Sequence, residues 1–315
     1  MAYYYSHLMR SHNVDSKIYQ PEYPSAQMAK TYYGYESGNP LNMDMQFYSR
    51  KDRLHLFREI GKDYDVVELH EGGGFYSTTL LFTPAKRIAH FHGSELRSKG
   101  LRKTLLRVGF RLSGFSHILL STPDLKDHVW SKSAEVLLNP VDPSIKNTQD
   151  QSGGYLFLPT RIDDRIKGSN LVFEAWKTIR EINHNATLMA INWGPDASRY
   201  VSSTKGDDRI NWLPLLNRTE YVKALSRATL VLGQFNINIL SLIELEAMQA
   251  GKPVISLNTS GIRTSSEIAK ETIRLLSDDS YRRAVVSEQR RFLAPYDPEL
   301  LARQLHNAYT RVLGT

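Results

Sequence analysis

Short apolar runs of strand length alternate along this chain with longer stretches whose apolar residues recur at helical spacing, the signature of a parallel α/β protein. Runs at 16–20, 64–69, 87–91, 117–121 and 135–138 predict strands in the first half, and runs at 155–159, 187–193, 210–213, 230–234 and 253–256 predict strands in the second. Between them the spacing predicts helices over 2–10, 53–60, 97–111, 169–182, 219–228, 241–250 and 264–277. The helix over 169–182 is the clearest: Ser169 or Asn170 caps it, and Leu171, Ala175, Ile179 and Ile182 share one face. A last helix opens at Asp297-Pro298 and carries Leu301, Leu305, Ala308, Tyr309 and Val312 on one stripe. Two stretches break the rhythm. Residues 21–52 are rich in Tyr, Pro, Gly, Asn and Met and read as a long excursion, functional or mobile. Residues 143–154 are polar and end in glycine, as an interdomain linker would. The chain therefore divides into 1–142, 155–290 and a closing segment over 291–315, with 143–154 as the tether.

The stretch 231–256 reads as a buried strand, a polar loop, a helix from about Ser241 to Ala250, a stop at Gly251 and a second strand. A helix whose first turn lies just beyond a strand's carboxyl end offers free backbone N–H groups to an anion, which is how open α/β sheets hold phosphates. Glu246, more than a turn further in, is placed to reach past a phosphate to a ribose. Glu246-Ala247-Met248-Gln249-Ala250-Gly251-Lys252-Pro253-Val254-Ile255 resembles the nucleotide-sugar loop of the GT-B glycosyltransferases, most closely family 4. That family places a further Glu eight positions earlier; here the residue is Asn238, which can hydrogen-bond a sugar hydroxyl but supplies no charge.

The resemblance implies an α/β protein of GT-B architecture, with two Rossmann-like domains facing each other across a cleft. A nucleoside-diphosphate sugar would bind the second domain, and the sugar would pass to a glycan or lipid-linked acceptor. By the same resemblance the anomeric configuration is retained, and neither a metal nor a cofactor beyond the donor is expected. Glu246 is implied on the ribose, Ser241 at the helix start on the diphosphate, Asn238 near the sugar and Gly261 in the donor-side glycine loop. The family's paired Arg and Lys correspond to Arg161 and Lys167, one position further apart than usual, with Arg165 able to replace either. Fixed positive charge there would stabilise the diphosphate as it leaves; read without the resemblance, these cations pair with Asp163 and Asp164. His92 takes the position of the family's strand-end His beside the transferred sugar, and Gly72, Gly73 and Gly74 line the acceptor side. A structural His and a tight turn are the plain readings of those positions. Asn139-Pro140-Val141-Asp142 is similar to the turn that closes the family's first half, and the last helix is expected to cross back to the first domain. The family's opening strand and Gly-rich turn have no counterpart before the helix over 2–10. A strand and loop usual after Gly261 are also absent, as the sequence passes directly to the helix over 264–277.

Composition narrows this further. At 315 residues the chain can hold two domains, each with a core of its own. Zero cysteines exclude disulfides and thiolate chemistry, and neither a secretory leader nor a membrane-spanning run is visible, so a cytoplasmic location is expected. The net charge of +7 points to an anionic partner. Arg97, Lys99, Arg102, Lys103, Arg107 and Arg111 make 97–111 a basic amphipathic helix. Such a helix suits an anionic membrane surface, each basic residue adding about 1 kcal/mol; the plain reading packs Leu101, Leu105 and Val108 on the sheet. No phosphate-binding loop of the nucleoside-triphosphatase type, zinc-protease motif, hydrolase triad or nucleic-acid motif is present, so no nucleic-acid partner is expected. Two alternatives remain: a degenerate GT-B protein that binds a nucleotide sugar or a partner without transfer, and a GT-B nucleotide-sugar epimerase.

Overall fold

In the first unit, strands β1 (Ile18–Pro21) and β2 (Met45–Tyr48) pair in parallel as a sheet of their own. Four more strands, β3 (Val66–His70), β4 (Lys86–Phe91), β5 (His117–Leu120) and β6 (Glu135–Val136), form a second parallel sheet in that order. Helices α1 (Ala2–Ser11), α2 (Arg53–Asp63) and α3 (Leu101–Leu112) belong to this unit. The computed structural model describes residues 2–21, 45–48, 53–70, 83–93, 96–97, 101–142, 145–148 and 154–314. Among these no strand joins the two sheets of the first unit. The described residues fall into two compact units, one of residues before Val141 together with those from Pro295 onward, the other Val141–Ala294.

The expected packing of the basic helix is corrected. Phe110 turns inward on α3, with its ring 4.7 Å from both Phe91 and Phe115. That bulk fills the interface with the sheet and rotates Leu105, Val108 and Leu112 outward, where they are 39%, 47% and 61% exposed.

The second unit is a five-stranded parallel sheet of β7 (Tyr155–Leu158), β8 (Thr187–Ile191), β9 (Ile210–Leu213), β10 (Ala228–Leu232) and β11 (Val254–Ile255). Its order is β11-β10-β7-β8-β9. Alternation of side chains sends Leu156, Leu158, Leu188, Leu230 and Leu232 into one core and Phe157, Ile191 and Val231 into another. The first core is completed by helices α5 (Ser169–Ile182) and α10 (Ser265–Ser277), the second by α7 (Arg218–Arg227) and α8 (Leu242–Gln249). Short helices α4 (Asp164–Lys167), α6 (Ala197–Ser203) and α9 (Leu257–Ser260) and the longer α11 (Asp279–Gln289) complete the unit. Helices α7, α8 and α10 each begin with a reciprocal cap, Asn217 with Glu220, Ser241 with Glu244 and Thr264 with Glu267.

Residues 145–148 were expected in a free tether and are instead anchored. Ile145 is buried in the second core, the Thr148 amide donates to the Ala250 carbonyl, and Lys252 Nζ donates to the Thr148 carbonyl. The last helix, α12 (Pro298–Leu313), places Leu301, Ala302, Leu305 and Ala308 against Tyr5, Met9, Ile88 and Leu119 of the first unit. None of the described helices is long and apolar enough to cross a membrane.

Candidate functional site

The strand order of the second unit fixes where a ligand would sit. From β7 the chain winds outward through β8 and β9, then returns to β10 on the other side of β7, so the loops after β7 and β10 diverge at a topological switch point. Ligands of open α/β sheets bind outside the carboxyl ends of the strands at that point.

The loop after β7 carries the candidate cations. Asp163 caps α4 by accepting the Ile166 amide at 2.9 Å, and its other oxygen takes the Arg161 guanidinium. Burial raises the Asp163 carboxyl, but the amide and Arg161 outweigh it and the net shift is downward. Asp164 accepts instead from the Tyr200 hydroxyl and from Arg199. Arg161 thus follows the plain reading and pairs with Asp163, whereas Arg165 is exposed and makes no ion pair among the described residues. Lys167 Nζ donates to Gln234 Oε1 at 2.6 Å, which ties this loop to the one after β10.

The second loop is held from beneath by Glu244. Its buried carboxylate accepts the Gln234 amide at 3.1 Å and the Ser241 amide at 2.6 Å, so both ends of residues 234–241 are pinned to one side chain. Gly233 leaves room for this: a Cβ there would stand 2.2 Å from Glu244 Oε1. Within the loop Asn236 Nδ2 donates to the Asp164 carbonyl at 2.7 Å, and exposed Asn238 accepts from Asn258 Nδ2 at 3.2 Å. Ser241 caps α8 through the Glu244 amide, which leaves the first-turn amides of Leu242 and Ile243 without partners inside the helix.

Glu246 stands elsewhere. It is 1% exposed and holds Arg218, whose Nη2 lies 2.8 Å from Glu246 Oε1 and 2.7 Å from Asp142 Oδ2. Burial raises the Glu246 carboxyl, an effect that Arg218 opposes and does not cancel. The residue with the fullest motif match is therefore a member of an interior ion triad, with no exposed face for a ribose. Gly261 ends α9 at φ +69 with open space where a Cβ would stand, so its backbone conformation alone accounts for a glycine there. Gly72, Gly73 and Gly74 lie outside the described residues.

His92 follows β4 in the first unit, and each of its ring nitrogens has a close polar neighbour. Nδ1 lies 3.0 Å from Asn139 Oδ1 and Nε2 lies 2.8 Å from His70 Nδ1. Glu68 Oε1 is 2.7 Å from His90 Nδ1 and 3.0 Å from His70 Nε2, while Tyr309 donates to Glu68 Oε2 at 2.6 Å. Burial lowers both the His90 and the His92 imidazoles. For Glu68 burial pushes the carboxyl up, but His70 and His90 hold it well below its ordinary value. Sequence reasoning singled out His92 and missed Glu68, His70 and His90. The signal was present as Glu-x-His at the end of one strand and His-x-His at the end of the next, two period-2 pairs that share a face once β3 and β4 are in register.

Two Rossmann-like units of parallel α/β build define the GT-B fold. Solved structures of that fold match the chain across most of its length. The HepE protein of Anabaena, in complex with UDP and glucose, has a TM-score of 0.69 at 12% identity, covering 94% of this chain and 100% of that one. WaaG, a glycosyltransferase involved in lipopolysaccharide biosynthesis, has a TM-score of 0.62 at 12% identity, covering 99% and 95%. TarM has a TM-score of 0.65 at 14% identity, and the chain spans only 57% of its length. No family model and no curated protein match the sequence.

Proposed function

We propose that the protein transfers a sugar from a nucleoside-diphosphate sugar to a glycan or lipid-linked acceptor, as a GT-B glycosyltransferase of the family 4 type. One observation carries this reading: at the switch point, the loop bearing Arg161, Arg165 and Lys167 is bonded through Lys167–Gln234 and Asn236–Asp164 to the loop that leads into the first turn of α8. Departure of the nucleotide builds negative charge on the diphosphate, and cations and backbone amides fixed beforehand lower that barrier without a metal. Asn238 would orient the sugar by a hydroxyl contact, and Gly261 would border it. Glu246 acts indirectly in this reading, anchoring α8 through Arg218 instead of meeting the ribose. His92, held at Nδ1 by Asn139, would serve as a fixed wall of the acceptor side. Retention of configuration rests on the family resemblance.

The donor reading is tested by a thermal-shift panel of UDP-, GDP- and dTDP-linked sugars. One of them, UDP-linked by analogy with HepE, is expected to stabilise the parent by about 2.7 kcal/mol at a hundredfold excess over Kd. Arg165→Ala, which removes an exposed charge that makes no ion pair among the described residues, is expected to lose part of that gain. A folded parent stabilised by none of the donors would overturn the reading. Release of free nucleotide with glycan or lipid acceptors then separates transfer from binding alone, the alternative that Asn238 in place of a Glu favours.

The outward stripe of Leu105, Val108 and Leu112, beside exposed Arg107 and Arg111, supports placing α3 on an anionic lipid surface that would carry a lipid-linked acceptor. Co-sedimentation with vesicles rich in anionic phospholipid is expected, weakened by Leu112→Asp and by high salt; equal recovery with and without vesicles would remove this part of the proposal.

A further inference from the structure

His70, His90 and His92 bring one ligand nitrogen each to within 4.8 Å of one another at the carboxyl ends of β3 and β4. Their bonding pattern sorts the six ring nitrogens into two sets. His90 Nδ1 and His70 Nε2 face Glu68 Oε1, and His92 Nδ1 faces Asn139 Oδ1, all oxygen acceptors that call for a hydrogen on the ring nitrogen. The remaining three, His90 Nε2, His70 Nδ1 and His92 Nε2, then carry lone pairs. Two of these lone pairs meet across only 2.8 Å. The third, on an imidazole with no exposed surface, is buried without a hydrogen-bond partner.

We propose that these three nitrogens bind one divalent transition-metal ion of the zinc class, with a fourth coordination position left open. Three neutral imidazoles suit such an ion, and a set of three protein ligands is the arrangement that leaves room for water or a substrate oxygen. Outer-shell carboxylates and amides that hold the far nitrogens fix tautomer and ring angle, and here Glu68 and Asn139 take that part. Glu68 is in turn held by the Tyr309 hydroxyl, and its buried charge offsets part of the ion's. Zinc–nitrogen bonds of about 2.0–2.1 Å would set the ligand atoms about 3.4 Å apart in a tetrahedral site, so small ring rotations close the cluster on the ion. An extra proton shared by His70 and His92 would relieve that pair but leave His90 Nε2 unanswered. One metal ion satisfies all three. The site lies in the first unit and is independent of the metal-free diphosphate site proposed for the second.

The test uses the full chain stripped of metal by a chelator and dialysed. Calorimetric titration with zinc sulfate is expected to show saturable binding of one ion per chain, and cobalt(II) in its place should give the visible bands of a low-symmetry four-coordinate site. His70→Gln and His92→Gln should each weaken zinc binding by at least about 100-fold, and Glu68→Gln by about 10- to 100-fold. His184→Gln, an exposed histidine of the second unit, should bind as the parent does. Circular dichroism reports whether each variant is folded. Absence of saturable binding by the parent overturns the proposal, and so does binding that survives both histidine variants; either result would identify the cluster as a hydrogen-bonded histidine set.

Discussion

Arg218→Met is expected to lower the unfolding free energy by about 3–5 kcal/mol, the cost of leaving a buried ion pair with one partner removed. Arg218 is 8% exposed and serves two carboxylates, Asp142 and Glu246. Without it, two acidic groups close together in the interior must either stay ionised in low dielectric or take up protons, and both cost stability. Urea denaturation reads the effect as a fall in midpoint at constant slope. Adding Asp142→Asn and Glu246→Gln to the Met variant should recover part of the loss, because neutral amides carry no unbalanced charge. A loss below about 1 kcal/mol is what an exposed pair gives and would show that water reaches the triad in solution. The same network dictates how Glu246 is tested as a ligand residue: Glu246→Gln keeps the shape, whereas Glu246→Ala would mix a folding defect with any loss of donor binding.

The second large effect is expected at Gly194, whose φ is +129. A Cβ there would stand 2.3 Å from the Ile162 carbonyl oxygen and 2.7 Å from its nitrogen, both backbone atoms with no freedom to rotate away. The two turns are laced together, the Ile162 amide donating to the Trp193 carbonyl at 2.7 Å and the Asp196 amide to the Ile162 carbonyl at 3.2 Å. Gly194→Ala should therefore cost about 3 kcal/mol or more, from backbone strain of roughly 1–3 kcal/mol and overpacking of similar size. Because Ile162 lies between Arg161 and Asp163, the displaced loop carries a cation with it. Nucleotide-sugar affinity should fall even under conditions where the variant is fully folded. Unaltered affinity in the folded variant would separate this turn from the donor site.

What the sequence disclosed depended on how local the signal was. The extent of the helix over 169–182 was legible because Leu171, Ala175 and Ile179 keep helical spacing, but its N-cap is Gly168 with no side-chain cap bond, not Ser169 or Asn170, and Ile182, read onto the apolar face, is exposed. The buried strands were legible because parallel sheets are apolar on both faces. Helices α6 and α11 were missed because Ala197–Ser203 and Asp279–Gln289 are largely polar and lack a continuous apolar stripe. The cations after β7 were found as residues, yet their division between Asp163 and Gln234 depends on which strand neighbours β7, a fact of topology. Glu246 shows the limit most plainly. Its motif is intact, but the residue that occupies it, Arg218, lies 28 positions away on another helix. Position on a helix announces a carboxylate, and only tertiary packing says what it faces.

The first unit takes material from both ends of the chain, with Leu301, Leu305 and Ala308 of α12 completing a core otherwise made of Tyr5, Met9, Ile88 and Leu119. Among the described residues the second unit is one continuous span, Val141–Ala294. During synthesis the order of completion is therefore reversed with respect to the order of translation. Once Ala294 has emerged from the ribosome, every described residue of the second unit is available to fold, while the older first unit keeps an apolar face open until α12 emerges as well. That interval is when the nascent chain is most exposed to aggregation and has most need of a chaperone.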